Sequence, residues 1–216
     1  MKIFSWISTD LSPLISENTI RFAFELAGNV PSVTLRGNHT TSRESQPVEL
    51  ESSIVTETQL RVSIPEFVDN LYRGTILEIV RTLKNHTAYP ASSGSHGVVL
   101  NYQKEGWRSE CHVDSNPIAA LLYLSSHDRD TGGELIVSNK GDVRGIDAVN
   151  SDCSVIQPKK GLLVIFDGRH HTHYVNKIVT GHKARLVLAM NYYTDECPFS
   201  SRPTGLDEHL EGRQQS

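Results

Sequence analysis

Two side chains that could bind a metal stand at the start of an apolar segment of the chain. His112 and Asp114 lie one residue apart in ECHVDSNPIAALLYLSS, residues 110–126. In an extended chain, residues i and i+2 project to the same side, so this pair could supply two neighbouring ligands. Imidazole nitrogen and carboxylate oxygen suit Fe(II) and similar divalent ions. The pattern is short, and an ordinary loop at the entrance to a strand is the alternative interpretation.

A second segment is rich in histidine. Residues 161–193, GLLVIFDGRHHTHYVNKIVTGHKARLVLAMNYY, hold a cluster formed by His170, His171, His173 and His182. An apolar run leads into this cluster and a β-rich run leads away from it. One of these histidines would complete a triad of two histidines and one carboxylate, which leaves positions on the metal open for substrate and O2. The alternatives are a solvated turn and a surface metal site made by the histidines alone.

Two cations follow the histidine cluster. Lys183 and Arg185 alternate with Ala184 and Leu186, so we expect both cations on one side of a strand, the side that carries the metal ligands. A cation inside a closed site is costly unless an anion pairs with it. A dicarboxylate cosubstrate would be such an anion. The alternative is a solvated edge strand with ordinary basic residues.

Length and composition favour a single, soluble intracellular domain. The 216 residues fit one large domain, and the 38% hydrophobic content is compatible with a packed core. The net charge of −4, without a basic block, argues against nucleic acid and anionic membrane surfaces. No stretch approaches the ~20 apolar residues of a membrane span, and the apolar patch in the N-terminal segment MKIFSWISTDLSPL is too short for the apolar region of a signal peptide. We therefore expect a cytoplasmic protein. The cysteines are too few and too scattered for a disulfide framework or a zinc finger: Cys111, Cys153 and Cys197.

Helical patterns come early in the chain and strand patterns late. We expect a helix over residues 17–27, capped by Ser16 and ended by Gly28, and β-like structure over residues 29–63. Residues 63–86 predict the clearest helix, whose apolar stripe should lie against the outer face of a sheet. After Pro90, short apolar runs alternate with turn residues, which is typical of an antiparallel sandwich or barrel. These runs are GVVLNYQ, IAALLYLSS, GGELIVSN, CSVIQP, GLLVIFDG, HYVNKIV and ARLVLAMNYY.

Residues 97–193 resemble the 2-oxoglutarate- and Fe(II)-dependent oxygenases, in particular the prolyl 4-hydroxylase-like branch. The resemblance is carried by VVLNYQKEGW, HVDS, AALLYLSS, GGELIV, KKGLLVIFDG and HYVNKIVTGHKARLVLAMNYY, in that order. It implies a mainly β fold with supporting helices, a double-stranded β-helix or cupin-like jelly roll. We therefore expect one oxygenase domain over residues 1–216. Residues 1–90 would form a helical and β support region, 97–193 the metal-binding core, and 200–216 a frayed polar tail.

The resemblance also implies the site. His112 and Asp114 match the first two iron ligands, and His173 matches the distal histidine, with His171 as the alternative. Lys183 stands where the family carries the cation that pairs with the far carboxylate of 2-oxoglutarate. Further candidates are, for the cosubstrate, Arg185 and Tyr102, and, for the substrate or the entrance, Trp107, Arg108 and Asn116. For Asn116, a turn ahead of a proline is the simpler role.

The implied activity is oxidation, most simply hydroxylation, of an unactivated C–H bond, with succinate and CO2 as coproducts. The implied cofactors are Fe(II), 2-oxoglutarate and O2, with room for ascorbate. Related halogenases replace the carboxylate ligand with a small residue, so Asp114 favours hydroxylation or another oxidation over halogenation. A small, amino-acid-like substrate is favoured over a protein, for a monomer or homodimer whose loops 36–48 and 140–152 could serve as lids. The alternatives are a peptidyl-prolyl hydroxylase, a cupin-like metalloprotein without 2-oxoglutarate, and a ligand-binding β-sandwich.

Overall fold

Two antiparallel sheets form the framework of the protein. The computed structural model describes residues 6–37, 40–84, 88–91, 96–179 and 181–212. The strands are β1 (Ile7–Asp10), β2 (Val33–Arg36), β3 (Glu49–Val55), β4 (Tyr89–Pro90), β5 (Val98–Gln103), β6 (Ile118–Tyr123), β7 (Leu135–Ser138), β8 (Cys153–Ile156), β9 (Leu162–Phe166), β10 (His173–Val175) and β11 (Arg185–Tyr193).

The larger sheet has the strand order β1-β9-β6-β11-β5-β3-β2, with β4 paired to β11, and the smaller sheet has the order β10-β7-β8. All of these pairs are antiparallel. Strands β5 to β11 all lie within residues 97–193. The predicted mainly β architecture with a strand-rich second half is therefore confirmed.

Alternation along the central strand β11 divides its side chains between two cores. Val187 and Ala189 face the space between the two sheets, where they pack with Phe166. Leu186 and Leu188 face the opposite side and pack under the helices. Both faces of this strand are apolar because both are covered, so it appears in the sequence as a continuous apolar run.

Helices cover the outer faces of the sheets. They are α1 (Glu17–Gly28), α2 (Glu57–Ser63), α3 (Pro65–Val68), α4 (Ile76–Lys84), α5 (Ile146–Asn150) and α6 (Leu206–Leu210). The first four pack against the larger sheet, and α5 packs behind the smaller one. Helix α1 begins as predicted, since the Ser16 hydroxyl accepts a hydrogen bond from the Thr19 N–H at 3.1 Å. None of the helices in the described ranges is long and apolar enough to cross a bilayer.

The prediction of β structure up to residue 63 is wrong in its last part, which forms α2. A capping box starts this helix. The Thr56 N–H donates to the Gln59 side chain at 2.8 Å, and the Gln59 N–H donates to the Thr56 hydroxyl at 3.4 Å. Two backbone donors are thus satisfied at the first turn, and this local pairing outweighs the β-branched content of the segment.

The helix predicted over residues 63–86 forms, but it is interrupted. A π-helical turn over Asp69–Thr75 joins α3 to α4, and Gly74 has non-helical φ and ψ of −108° and −105°. Its apolar side lies against the outer face of the larger sheet, as predicted. The last predicted residues, 85 and 86, lie outside the described part of the chain.

The two ends of the chain contain structure that the sequence analysis did not anticipate. Strand β1 extends the larger sheet by pairing with β9. Residues 206–210 form α6, in which Leu206 is buried, so the prediction of a frayed tail is wrong for this segment. The leucines one turn apart give this short helix an apolar side that lies on the mouth of the barrel. Residues 213–216 lie outside the described chain.

The two loops considered as lids differ. Residues 140–152 include α5, whose fully buried Val149 packs behind the smaller sheet, and they do not border the central cavity. In the loop over residues 36–48, Thr41 borders the cavity and Glu44 is buried, while residues 38 and 39 are not described. That the loop over residues 36–48 acts as a lid stays a prediction.

Buried tyrosines join the helix layer to the larger sheet. The Tyr72 hydroxyl accepts a hydrogen bond from the Ala91 N–H at 2.8 Å and donates one to the Asn191 carbonyl at 3.0 Å. The Tyr192 hydroxyl donates to the Tyr72 carbonyl at 2.8 Å. These bonds cross between segments that are distant in sequence, so they fix how the helices sit on the sheet.

Replacing Tyr72 with Phe should lower the free energy of unfolding by about 1–3 kcal/mol, because a buried N–H and a buried carbonyl lose their partner. Urea unfolding followed by circular dichroism measures this change. Tyr89→Phe is the matched control, since that partly exposed hydroxyl has only longer bonds of 3.3 Å. A loss for Tyr72→Phe no larger than the loss for the control would contradict this account.

Candidate metal centre and cosubstrate pocket

Backbone pairing brings the two predicted metal-binding segments together. The His112 N–H donates to the His173 carbonyl at 2.9 Å, and the His173 N–H donates to the His112 carbonyl at 2.9 Å. This is an antiparallel bridge, and a bridge to Ser42 lies on the other side of His112. Residues directly opposite each other in such a bridge project to the same face. The two imidazoles therefore lie side by side, with ring centroids 4.4 Å apart.

The carboxylate of Asp114 completes the cluster. Its Oδ1 lies 3.5 Å from Nε2 of His112 and 3.7 Å from Nε2 of His173. One potential ligand atom from each residue lies within 4.8 Å of the others. His171, the alternative distal ligand, is buried elsewhere, with its Nδ1 2.8 Å from the Ser138 carbonyl. The structure thus brings together His112, Asp114 and His173.

Both histidines are oriented through their second ring nitrogen. Nδ1 of His112 lies 2.7 Å from the Glu110 carbonyl, and Nδ1 of His173 lies 2.9 Å from the His171 carbonyl. A carbonyl can only accept, so each Nδ1 carries a proton, and Nε2 is the nitrogen of each ring that is left to bind a metal. This is the tautomer that a metal ligand needs. Two such nitrogens and a carboxylate fit Fe(II).

Proximity and burial set the charge of the metal-free cluster. Burial acts to lower the pKa of His112, but the hydrogen bond and the negative charge of Asp114 outweigh it and raise that pKa to about 9. Burial lowers the pKa of His173 to about 4, so its imidazole is neutral at physiological pH. Burial would raise the pKa of Asp114, but the two histidines lower it. The carboxylate is therefore ionised, as a metal ligand must be.

The position of Asp114 depends on a glycine. The Asp114 N–H donates to the Gly168 carbonyl at 2.8 Å. A Cβ at residue 168 would lie 1.9 Å from Oδ2 of Asp114, a distance at which something must shift. Gly168 follows β9, so the end of this strand holds the carboxylate in place.

A buried carboxylate anchors the loop that carries the first two candidate ligands. Oε1 of Glu44 accepts from the Arg108 guanidinium and from the Cys111 N–H, both at 2.8 Å. The sequence analysis did not identify Glu44. No pattern in the polar residues around Glu44 distinguishes it, because its partners Arg108 and Cys111 lie more than sixty residues further along the chain.

A cavity of about 240 Å³ opens beside the cluster and continues between the two sheets. Its walls are largely apolar, and Arg185 lies among its lining residues. This side chain is only 3% exposed, and its Nε has no hydrogen-bond partner in the part of the chain that is described. The guanidinium lies 5.2 Å from the centroid of the Tyr123 ring. The Tyr123 hydroxyl is also buried and has no hydrogen-bond partner among the described residues. The apolar lining residues include Leu121, Leu135, Phe166, Val175 and Val187.

These unpaired groups fit an anionic ligand. Burial lowers the pKa of Arg185 and raises that of Tyr123, as expected for polar groups removed from water. A buried cation without an anion is strongly unfavourable. A carboxylate would supply the missing acceptor for both the guanidinium and the hydroxyl.

Comparison with known proteins assigns this arrangement to a family. Residues 97–193 match the sequence model of the 2OG-Fe(II) oxygenase superfamily. The match covers a little under half of the chain and includes all three candidate metal ligands. The match supports a 2-oxoglutarate-dependent non-haem iron oxygenase, with Fe(II) and 2-oxoglutarate as cofactors. No curated protein matches the chain.

Solved structures with the same fold come from several kinds of oxygenase. The 2-oxoglutarate-dependent epimerase SnoN from nogalamycin biosynthesis is 13% identical, with a TM-score of 0.64 over 99% of this chain and 87% of SnoN. HygX from Streptomyces hygroscopicus, with nickel, 2-oxoglutarate and hygromycin B bound, is 11% identical, with a TM-score of 0.61 over 89% and 84% of the two chains. A Pseudomonas putida prolyl 4-hydroxylase is 14% identical, with a TM-score of 0.51 over 88% and 92%. At these identities the likeness shows the fold, the predicted double-stranded β-helix.

Lys183, which was predicted to bind 2-oxoglutarate, lies away from the pocket. Lys183 is exposed and does not line the cavity. The alternation that grouped it with Arg185 does not apply, because β11 begins only at Arg185 and Lys183 lies in the preceding turn region. Of the two cations, the structure places only Arg185 in the pocket.

Tyr102 borders the cavity but its ring lies on the other face of β5. It packs with the helix-side core and meets the Phe24 ring edge to face at 6.4 Å. The inward positions of this strand belong to Asn101 and Gln103. The tyrosine beside Arg185 is instead Tyr123, which the sequence analysis missed. Its signal was the single hydroxyl in the otherwise apolar run IAALLYL.

The three candidates for the substrate side all line the cavity. Trp107 is half-buried, and the Arg108 guanidinium is paired with Glu44 at 2.8 Å. Asn116 is buried, and its side-chain N–H donates to the Ile118 carbonyl at 2.7 Å. That bond matches the turn role expected ahead of a proline.

Replacing Gly168 with Ala should weaken metal binding by at least roughly tenfold, the lower range for losing a group that orients a ligand. The added methyl group would displace the Asp114 carboxylate. Calorimetric titration of the oxygenase with Ni(II) measures the effect. Gly28→Ala, where a Cβ meets no atom within 4 Å, is the control and should bind the metal normally. Equal affinities of the two variants would disprove the role of Gly168.

Proposed function

We propose that this oxygenase hydroxylates an unactivated C–H bond of a small molecule, with succinate and CO2 as coproducts. His112, Asp114 and His173 would hold the iron. The observation that supports this most directly is the pair of features at opposite parts of one cavity. One is the cluster of two imidazoles and a carboxylate, and the other is a buried guanidinium that pairs with no carboxylate in the part of the chain that the structure describes.

The bound Fe(II) would supply the oxidising chemistry, together with 2-oxoglutarate and O2. The three side chains would occupy one side of the metal and leave the other side open toward the cavity. Because backbone carbonyls hold both Nδ1–H groups, neither imidazole has to reorient to bind. The retained carboxylate of Asp114 favours hydroxylation or another oxidation over halogenation.

Arg185 and Tyr123 would hold the far carboxylate of 2-oxoglutarate. Nε of Arg185 and the Tyr123 hydroxyl are buried and have no hydrogen-bond acceptor among the described residues. Charge-assisted bonds in an apolar pocket are stronger than bonds in water. The walls around the site, including Leu135, Val175 and Val187, would exclude water from the reacting groups.

The shape of the mouth favours a small substrate over a protein. Helix α6 contributes Leu206, His209 and Leu210 to the lining of the cavity. This helix lies next to β2 and narrows the opening of the cavity. A flexible peptide chain would need a longer open groove, whereas a compact molecule fits a covered pocket.

Replacing Arg185 with Gln should weaken binding of 2-oxoglutarate by roughly 10- to 100-fold, the equivalent of one charge-assisted interaction. The expected effect is a raised Kd for 2-oxoglutarate, measured by calorimetry with Ni(II) in place of iron. Lys183→Gln is the control and should bind 2-oxoglutarate normally, because its side chain is exposed. The opposite pattern, with Lys183→Gln defective and Arg185→Gln normal, would reject this assignment.

Anaerobic addition of Fe(II) and 2-oxoglutarate should produce a weak charge-transfer absorption in the visible range. His173→Ala and Asp114→Ala should abolish it, since each removes a ligand. His171→Asn should retain it, because the amide can still donate to the Ser138 carbonyl while the ring is lost. Absence of the band in the unaltered protein would refute the proposed function. Loss of the band only in His171→Asn would show that His171, rather than His173, is the distal ligand.

A further inference from the structure

A buried histidine lies beside the cation of the proposed cosubstrate site. His127 is only 7% exposed, and its Nε2 is buried without a hydrogen-bond partner among the described residues. A Cβ built on Gly133 would lie 3.4 Å from Nδ1 of His127 and 3.4 Å from Cδ of Arg185. The imidazole and the arginine side chain therefore pack around the same glycine and are neighbours.

The main chain holds His127 in this place. Its N–H donates to the Pro158 carbonyl at 3.1 Å, and its carbonyl accepts from the Gln157 side chain at 2.8 Å. Two residues earlier, the Ser125 hydroxyl accepts from the Leu186 N–H at 2.9 Å, which joins this segment to the start of β11. The histidine is therefore fixed relative to the strand that carries the cation.

Three buried polar atoms in this part of the barrel have no partner in the described ranges. They are Nε2 of His127, Nε of Arg185 and the hydroxyl of Tyr123, whose ring centroid lies 5.2 Å from the guanidinium. Buried polar groups in proteins are nearly always paired. A carboxylate at the guanidinium would supply an acceptor for the arginine and the tyrosine, and its negative charge would act on the nearby imidazole.

The groups that face His127 decide its protonation. Burial lowers the pKa of this side chain, and the neighbouring Arg185 and His182 lower it further. A hydrogen bond with the Ala184 carbonyl and the charge of Glu134 act in the opposite direction without outweighing burial. The imidazole is therefore neutral at physiological pH while the guanidinium has no bound anion.

A carboxylate bound to Arg185 would change this balance. It would offset the charge of the guanidinium and bring a negative charge close to the imidazole, and an opposite charge favours the protonated form. In a protonated imidazole both ring nitrogens carry an N–H, so Nε2 of His127 would become a donor.

We propose that His127 is a positioning residue of the cosubstrate site, which takes up a proton from solvent when 2-oxoglutarate binds and then helps Arg185 to hold the far carboxylate. This inference rests on the proposed function, because it requires 2-oxoglutarate to bind at Arg185. The step moves one proton and no electrons, and no bond of the cosubstrate changes. Because binding is linked to proton uptake, the affinity for 2-oxoglutarate should rise as the pH falls.

Calorimetry on the protein saturated with Ni(II) tests this linkage. The heat of 2-oxoglutarate binding at pH 7 is compared in PIPES and in HEPES, two buffers with different enthalpies of ionisation. The unaltered protein should take up to about one proton per 2-oxoglutarate, and its Kd should fall by up to roughly tenfold per pH unit between pH 8 and pH 6. A heat that does not depend on the buffer, together with a Kd that does not depend on pH, would overturn the proposal.

A variant then assigns the proton. His127→Asn keeps a polar side chain that cannot be protonated, so it should bind 2-oxoglutarate as the unaltered protein does at pH 8 and more weakly at pH 6. His182→Asn is the matched control, because this exposed histidine faces the same ring and should leave the proton uptake unchanged. The proposal is wrong if His127→Asn takes up as many protons as the unaltered protein, or if it weakens binding equally at every pH, as loss of a merely structural contact would.

Failure of this inference and failure of the proposed function give different results. If only the inference is wrong, the Ni(II) protein binds 2-oxoglutarate without uptake of a proton at His127, and the Fe(II) and 2-oxoglutarate absorption still forms. If the proposed function is wrong, the unaltered protein neither binds 2-oxoglutarate nor forms the absorption, and the role of His127 is rejected with it.

Discussion

The reciprocal backbone hydrogen bonds between His112 and His173 are the interaction on which the site depends. They join a loop that precedes β6 to the start of β10, and they make the two imidazoles neighbours on one face. The same segments supply the carbonyls that hold each Nδ1–H. Ligand spacing and ring orientation are therefore both set by main-chain groups.

The remaining constraint is electrostatic. Buried polar groups in proteins are nearly always paired. Among the described residues, unpaired side-chain atoms at or beside the cavity belong to Tyr123, Arg185, His96 and Glu110. The first two lie at the depth of the barrel and the last two at its mouth under α6. The buried guanidinium of Arg185 is suited to an anionic ligand, which agrees with a dicarboxylate cosubstrate.

Individual residues show which structural features a local sequence pattern can predict. Ser16 caps its helix and the apolar stripe of residues 63–86 lies on a sheet, because capping and periodicity act over one or two turns. The segment 57–63 became helical through the capping box of Thr56, which competes with β propensity at the same range. Arg185 and Lys183 looked equivalent, and the difference between them depends on where β11 begins, a boundary that strand pairing sets.

The sequence by itself determined the strand-rich core, the ligand types and the family resemblance, because these reside in residue identity, order and short-range periodicity. Only the tertiary structure decided that His173 rather than His171 joins His112 and Asp114, and that Tyr123 rather than Tyr102 lies beside Arg185. It also placed part of the polar tail over the cavity as helix α6, which Asp207 and His209 hold through contacts with other segments. Those outcomes depend on which face of a strand is turned inward and on contacts between segments far apart in the chain, and no local pattern carries that information.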